Sequence, residues 1–171
     1  MPSILEESDK VPFRNKGAIE LEIIKSNYQD ENKSLAKQMF NQITGKEING
    51  FKTPLGRTTV LKHNEVEIII EVVHNEDGIK RSFELLKQKE IKYEQVVFSA
   101  SKDKDDSIIN QYIDNPFIWV NKGPKPKPFN EYKTKGIEIK DLGTFIKTLD
   151  KSTLFIGSFY LIEEVLKWIK Q

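Results

Sequence analysis

The run Val66-Glu67-Ile68-Ile69-Ile70-Glu71-Val72-Val73 is apolar and β-branched over the length of a strand buried on both faces, and it stops abruptly in the polar turn His74-Asn75-Glu76-Asp77-Gly78. Residues 79–88 follow at helical spacing, with Ile79, Phe83, Leu85 and Leu86 as the apolar side. A strand that enters a helix through a polar turn is the building unit of an open α/β sheet. Ligands of such sheets bind at the carboxyl ends of the strands, so Glu71, His74, Asn75 and Asp77 are the first candidates for a site.

The alternation continues to the end of the chain. Residues 93–100, 116–120, 136–139 and 154–156 read as buried strands, while a short helix through Ile108, Ile109 and Tyr112 and longer ones over 141–149 and 158–170 lie between and after them. Asp141 is a candidate cap for the first of the longer pair. Upstream, residues 57–61 and 66–73 are extended segments separated by Lys62-His63-Asn64-Glu65, an interval short enough for a hairpin. Strands alternating with helices predict an α/β fold: a mainly parallel, mixed sheet with right-handed crossovers and helices on both faces.

Before this region, residues 17–24 alternate as a half-exposed strand. Leu35, Met39, Phe40 and Ile43 recur at helical spacing after Asp30, the expected cap, and Gly45 marks the stop. Pro2 and Pro12 make residues 1–15 an irregular arm, leaving 16–171 as a single domain. The long irregular stretch 121–135 interleaves Pro124, Pro126 and Pro128 with Lys122, Lys125, Lys127, Lys133 and Lys135. Such a segment is either a solvated loop or a contact for an acidic partner, and its length favours contact.

Bulk composition closes several routes. With 27 basic and 26 acidic residues the net charge is +1, without the basic excess of a nucleic-acid binder. Cysteine is absent, which excludes disulfides, thiolate metal sites and cysteine nucleophiles. Two histidines without a closely spaced carboxylate and histidine pair argue against a metal site. No apolar stretch reaches the roughly 18 residues of a membrane span, and the acidic beginning with Glu6, Glu7 and Asp9 is unlike a targeting peptide. An intracellular protein, cytoplasmic or mitochondrial, is expected.

The polar turn admits two readings. His74 and Asn75 are ligand contacts at the strand end, or Asn75 or Asp77 caps the helix and His74 is an exposed turn residue. Gly157-Ser158 at the last strand–helix junction is likewise an anion site or, more economically, a tight turn with a serine cap. There is no phosphate-wrapping G-x-x-x-x-G-K-[ST] loop, no dinucleotide fingerprint and no G-x-S-x-G elbow.

Taken together, Gly56-Arg57, the strand ending at His74-Asn75, Lys102-Asp103-Lys104-Asp105 after the next strand and Gly157-Ser158-Phe159-Tyr160-Leu161 resemble the carboxy-terminal domain of folylpolyglutamate synthase and dihydrofolate synthase, in the Mur ligase superfamily. Asn27-Tyr28-Gln29 through Asn32 and Leu35-Ala36 is similar to the segment leading into that domain, so the resemblance spans residues 24–169. It implies a Rossmann-like domain that closes over ATP held mainly by a larger amino-terminal domain. It also implies nucleotide contacts from Arg57, Glu71, His74 and Asn75, low in affinity or vestigial. Where the family carries D-G-A-H-N-P, this chain has Glu71, the bulky Val72 and Val73, and Glu76, so close approach of a ligand to the backbone should be crowded.

Acyl-phosphate and amide formation need a phosphate cradle, Mg²⁺ and an amine pocket, parts the family places on the amino-terminal domain. A chain beginning at Met1 with only the closing domain is therefore not expected to ligate alone. The resulting expectation is a non-catalytic structural or binding subunit of a larger protein assembly, with no catalytic residues, no metal site and no cofactor requirement of its own. The alternative is the closing half of a split ATP-dependent folate or amino-acid ligase, with ATP and Mg²⁺ bound only alongside a partner domain.

Overall fold

A computed structural model of the protein describes residues 28–48, 50 and 56–169. The arm expected at 1–15 and the strand expected at 17–24 lie outside the described residues. The chain divides into two compact units, Met1–Lys52 and Thr53–Gln171.

In the first unit, helix α1 (Tyr28–Thr44) starts ahead of Asp30, which with Glu31 sits in the first turn instead of capping it. Acidic side chains there face the positive end of the helix dipole. Gly45 terminates α1 as expected: its φ is 68°, and its N–H reaches the Asn41 carbonyl at 2.7 Å.

The second unit is a six-stranded sheet in the order β1-β2-β6-β3-β4-β5. The hairpin of β1 (Thr59–His63) and β2 (Val66–Val72) is antiparallel. Its two-residue loop puts both Asn64 (φ 47°) and Glu65 (φ 66°) in the left-handed region, the twist that a tight hairpin requires. The remaining strands, β3 (Gln95–Ser99), β4 (Phe117–Trp119), β5 (Ile137–Ile139) and β6 (Thr153–Gly157), pair in parallel with their neighbours, β6 lying between β2 and β3. Helix α2 (Glu76–Gln88) links β2 to β3, α3 (Leu142–Lys147) links β5 to β6, and α4 (Phe159–Ile169) closes the fold.

Strand alternation decides which helix covers which face. Ile69, Leu154, Ile156, Val96 and Phe98 pack with Ile79, Phe83 and Leu86 of α2, while Ile68, Ile70, Phe155 and Val97 pack with Leu142 and Ile146 of α3 and Leu161 and Val165 of α4. Three consecutive isoleucines, 68 to 70, are fully buried because both faces of β2 are covered. Each such side chain contributes about 1.5–3 kcal/mol by leaving water. The helices are punctuated by local chemistry. Asp141 caps α3, accepting from the N–H groups of Gly143 (3.0 Å) and Thr144 (3.3 Å) and from the Thr144 hydroxyl (2.7 Å). Led by that hydroxyl, these bonds hold its carboxyl below the usual aspartate range.

Candidate functional site

The carboxyl ends of β2, β6 and β3 lie side by side, because the chain runs outward from β2 to β3, β4 and β5 and then returns to insert β6 between the first two. At the centre, Gly157 has φ 134°, and a Cβ built on it would lie 2.1 Å from the Ser99 carbonyl oxygen. Only glycine allows the two strand ends to lie that close. Its carbonyl accepts the Val73 N–H at 2.9 Å, and the Ser158 N–H donates to the Ser99 carbonyl at 2.9 Å. The Ser158 hydroxyl oxygen lies 3.3 Å from that of Ser99 and accepts a long bond from Leu161 N–H at 3.4 Å. The capping reading of Gly157-Ser158 thus accounts for its local geometry.

The hairpin flank is a turn folded onto the end of β2. The Val72 N–H donates to the Gly56 carbonyl at 2.6 Å, and the Arg57 guanidinium donates through Nη1 to the Val72 carbonyl at 3.0 Å. Arg57 is thus anchored at Val72, two residues before His74 in the chain. Glu71 is fully buried in β2. Its Oε2 accepts both the N–H and the hydroxyl of Thr58 at 2.7 Å, so the carboxylate is turned towards the hairpin turn. Val72 lies over Gly56, where a Cβ would come within 2.6 Å of its Cγ2, and Val73 belongs to the core under α2. Val72 and Val73 thus both have packing roles.

Asn75 is the cap of α2: it is extended (φ −139°, ψ 164°), and its Oδ1 accepts the Gly78 N–H at 2.8 Å. Asp77 instead pairs with Arg81 one turn along, 3.1 Å apart on the helix surface. Exposed His74 lines a shallow cleft with Ser101, Lys104, Asp105, Ser99 and Ser158. The free space there is about 20 Å³, room for about one water molecule.

The opposite flank departs most from expectation. Residues 121–135 form a strap clamped to the domain, and the contact role with an acidic partner that their length suggested has an internal counterpart. Lys127 is buried, with Nζ 2.5 Å from Asp106 Oδ1 and 2.7 Å from the Lys104 carbonyl. The other oxygen of Asp106 accepts the Thr134 N–H at 2.8 Å. Burial alone would raise the Asp106 carboxyl, yet the Lys127 ammonium and the Thr134 donors outweigh it and hold the group below the usual range. The Tyr132 hydroxyl accepts from the Ala100 N–H (3.0 Å) and donates to the Ala100 carbonyl (3.1 Å), while the Asn121 amide donates to the same carbonyl at 2.9 Å. On the surface Lys125 meets Asp103 and Lys133 meets Asp105.

Sequence reasoning missed Thr58 and the Asp106–Lys127 pair. Thr58 has φ 46°, a conformation no threonine signals in advance, and Lys127 looks like the other lysines of its stretch until the strap is folded.

This architecture is the α/β fold of the Mur ligase carboxy-terminal domain. It is similar to folylpolyglutamate synthase of Thermotoga maritima (19% identity, TM-score 0.62, covering 90% of this chain and 41% of that one) and of Helicobacter pylori (17%, 0.59, 92% and 48%). It is also similar to UDP-N-acetylmuramate–alanine ligase of Thermotoga maritima (12%, 0.51, 90% and 40%). A bifunctional folylpolyglutamate synthase/dihydrofolate synthase of Yersinia pestis, complexed with AMPPNP and a manganese ion, has 16% identity and a TM-score of 0.59 over 90% of this chain and 42% of that one. The chain thus spans less than half the length of these enzymes. No family model and no curated protein matches its sequence.

Proposed function

We propose that this domain is a non-catalytic relative of the ligase closing domain, acting as a structural or binding subunit within a larger protein assembly. The observation that carries the reading is how three of the four expected contacts are already engaged while His74 stays exposed. Glu71 holds Thr58, Asn75 holds the first turn of α2, and Arg57 holds the end of β2. A nucleotide would have to displace these bonds, and a cleft of about 20 Å³ offers it no volume. Binding energy drawn from groups already satisfied is small, because each new hydrogen bond replaces an old one.

The test is titration calorimetry of the full chain with ATP and Mg²⁺, followed by mass measurement of the complex it forms in the source cell. No heat at millimolar nucleotide and a mass above the monomer are expected. Saturable nucleotide heat, or a monomer without companions, overturns the reading.

A second reading draws support from Arg57 being anchored two residues from His74. In it the domain is the closing half of a split ATP-dependent ligase of folates or amino acids, and Arg57 and His74 reach ATP held by the other half. Arg57→Ala and His74→Ala should then abolish turnover of the reconstituted pair, and unchanged turnover removes this reading. In this second reading ATP and Mg²⁺ belong to the assembled state and not to the isolated domain.

A further inference from the structure

The opposite edge of the sheet carries a second concavity. It opens at the amino ends of β3 and β4, and its volume of about 450 Å³ falls within the range of small-molecule sites. The contrast with the carboxyl edge lies in its unengaged groups. Of its polar lining, only Glu94 and Gln95 are occupied, by the Ser152 N–H at 3.2 Å and the Thr153 hydroxyl at 2.9 Å. The Tyr93 and Tyr112 hydroxyls, the Asp114 carboxylate, the Asn115 amide and the Lys151 ammonium have no hydrogen-bonding or ionic partner among the described residues.

The kinds of group define a ligand. One free carboxylate and one free ammonium on the same cavity ask for a molecule carrying both charges, since a singly charged ligand would leave one of them facing its own sign or nothing. The aromatic lining asks for a flat apolar body. Tyr112 is held as a platform by stacking on Phe83, with ring centroids 4.5 Å apart and planes within 8°. Half-buried Tyr93 adds a second ring to the lining, and its burial raises its pKa, so its hydroxyl stays a neutral donor across the physiological range.

We infer that this cavity binds a free aromatic α-amino acid, its ammonium on Asp114, its carboxylate on Lys151 and its ring against Tyr112. The site is separate from the His74 corner, so it stands or falls independently of the proposed function. Nothing in the cavity activates a bond, and the inference is one of binding alone.

The probe is L-phenylalanine titrated into the full ¹⁵N-labelled chain, beside phenethylamine, which lacks the carboxylate, and 3-phenylpropionate, which lacks the ammonium. Saturable shifts at residues 93–95 and 112–117 are expected for phenylalanine, with each analogue weaker by about three- to fivefold, the scale of one exposed ion pair. Asp114→Asn should cut phenylalanine affinity by a similar factor while leaving phenylpropionate unchanged, and Lys151→Met should do the converse with phenethylamine. Both residues are exposed, so folding is retained. No saturable shift at 10 mM phenylalanine, or equal binding of all three probes, overturns the inference.

Discussion

Two buried carboxylates flank the carboxyl edge of the sheet, and they are satisfied in different ways. Glu71, inside β2, accepts the N–H and hydroxyl of Thr58 from a turn only 13 residues away in sequence. Asp106, at the end of the acidic turn after β3, takes a lysine and a backbone N–H from a strap 21 and 28 residues away. The first arrangement ties a hairpin to its own strand. The second ties a long segment across the fold, and closing a longer loop costs more chain entropy, so a stronger, charge-assisted contact is fitting there. The lesson is that one strap lysine, Lys127, is part of the interior while the hairpin corner is locally self-contained.

The sharpest way to break this contrast is Lys127→Met. It leaves the Asp106 charge buried beside the Thr134 N–H alone, and removing one partner of a buried pair costs about 3–5 kcal/mol. Urea unfolding should show that loss, and adding Asp106→Asn to the same chain should recover part of it. A single-variant loss below about 1 kcal/mol would place the strap's anchorage elsewhere. Acid should reproduce part of the damage. The folded-state pKa of Asp106 lies below its ordinary 3.8, so its stabilisation is complete above that pH and disappears as the pH falls through the folded value. Melting temperature measured from pH 5 to 2 should therefore fall less steeply in Asp106→Asn than in the parent.

On the hairpin side, Thr58→Ala removes the hydroxyl bond to Glu71 but keeps the backbone one, with an expected loss of about 1–2 kcal/mol in the same unfolding assay. Exchange of amide protons should localise that loss to the β1–β2 hairpin, whereas the Lys127→Met loss should spread through the strap and the turn before β4. Smallest of all is Lys125→Ala. The Lys125–Asp103 contact at 3.4 Å is solvent-exposed on both sides, and the melting temperature should not move measurably.

The elements that sequence reading located well were those written in local chemistry. The isoleucine run of β2, the Asp141 cap and the Gly45 stop needed no partner to be recognised, and the structure has each of them, while of the two candidate caps of α2 it has Asn75. The helix start at Tyr28, two residues before the expected Asp30 cap, shows the limit of such signals, because acidic residues serve equally well inside a first turn. In the candidate site the positions were legible and their use was not. Arg57 holds the end of β2 and Asn75 caps α2, but whether a carboxylate such as Glu71 faces a ligand or a neighbouring turn depends on which backbone lies beside it.

Sequence by itself determined the α/β alternation, the two-sided burial of β2 and the glycine at the last strand–helix junction, because period, β-branching and a backbone that tolerates no Cβ are properties of single segments. Only the tertiary structure decided that β6 enters between β2 and β3, that Thr58 claims Glu71, and that one lysine of several in residues 121–135 is drawn into the interior by Asp106. Those outcomes turn on distances between residues far apart in the chain, and pairing energies in a desolvated interior depend on such distances far more than on residue type.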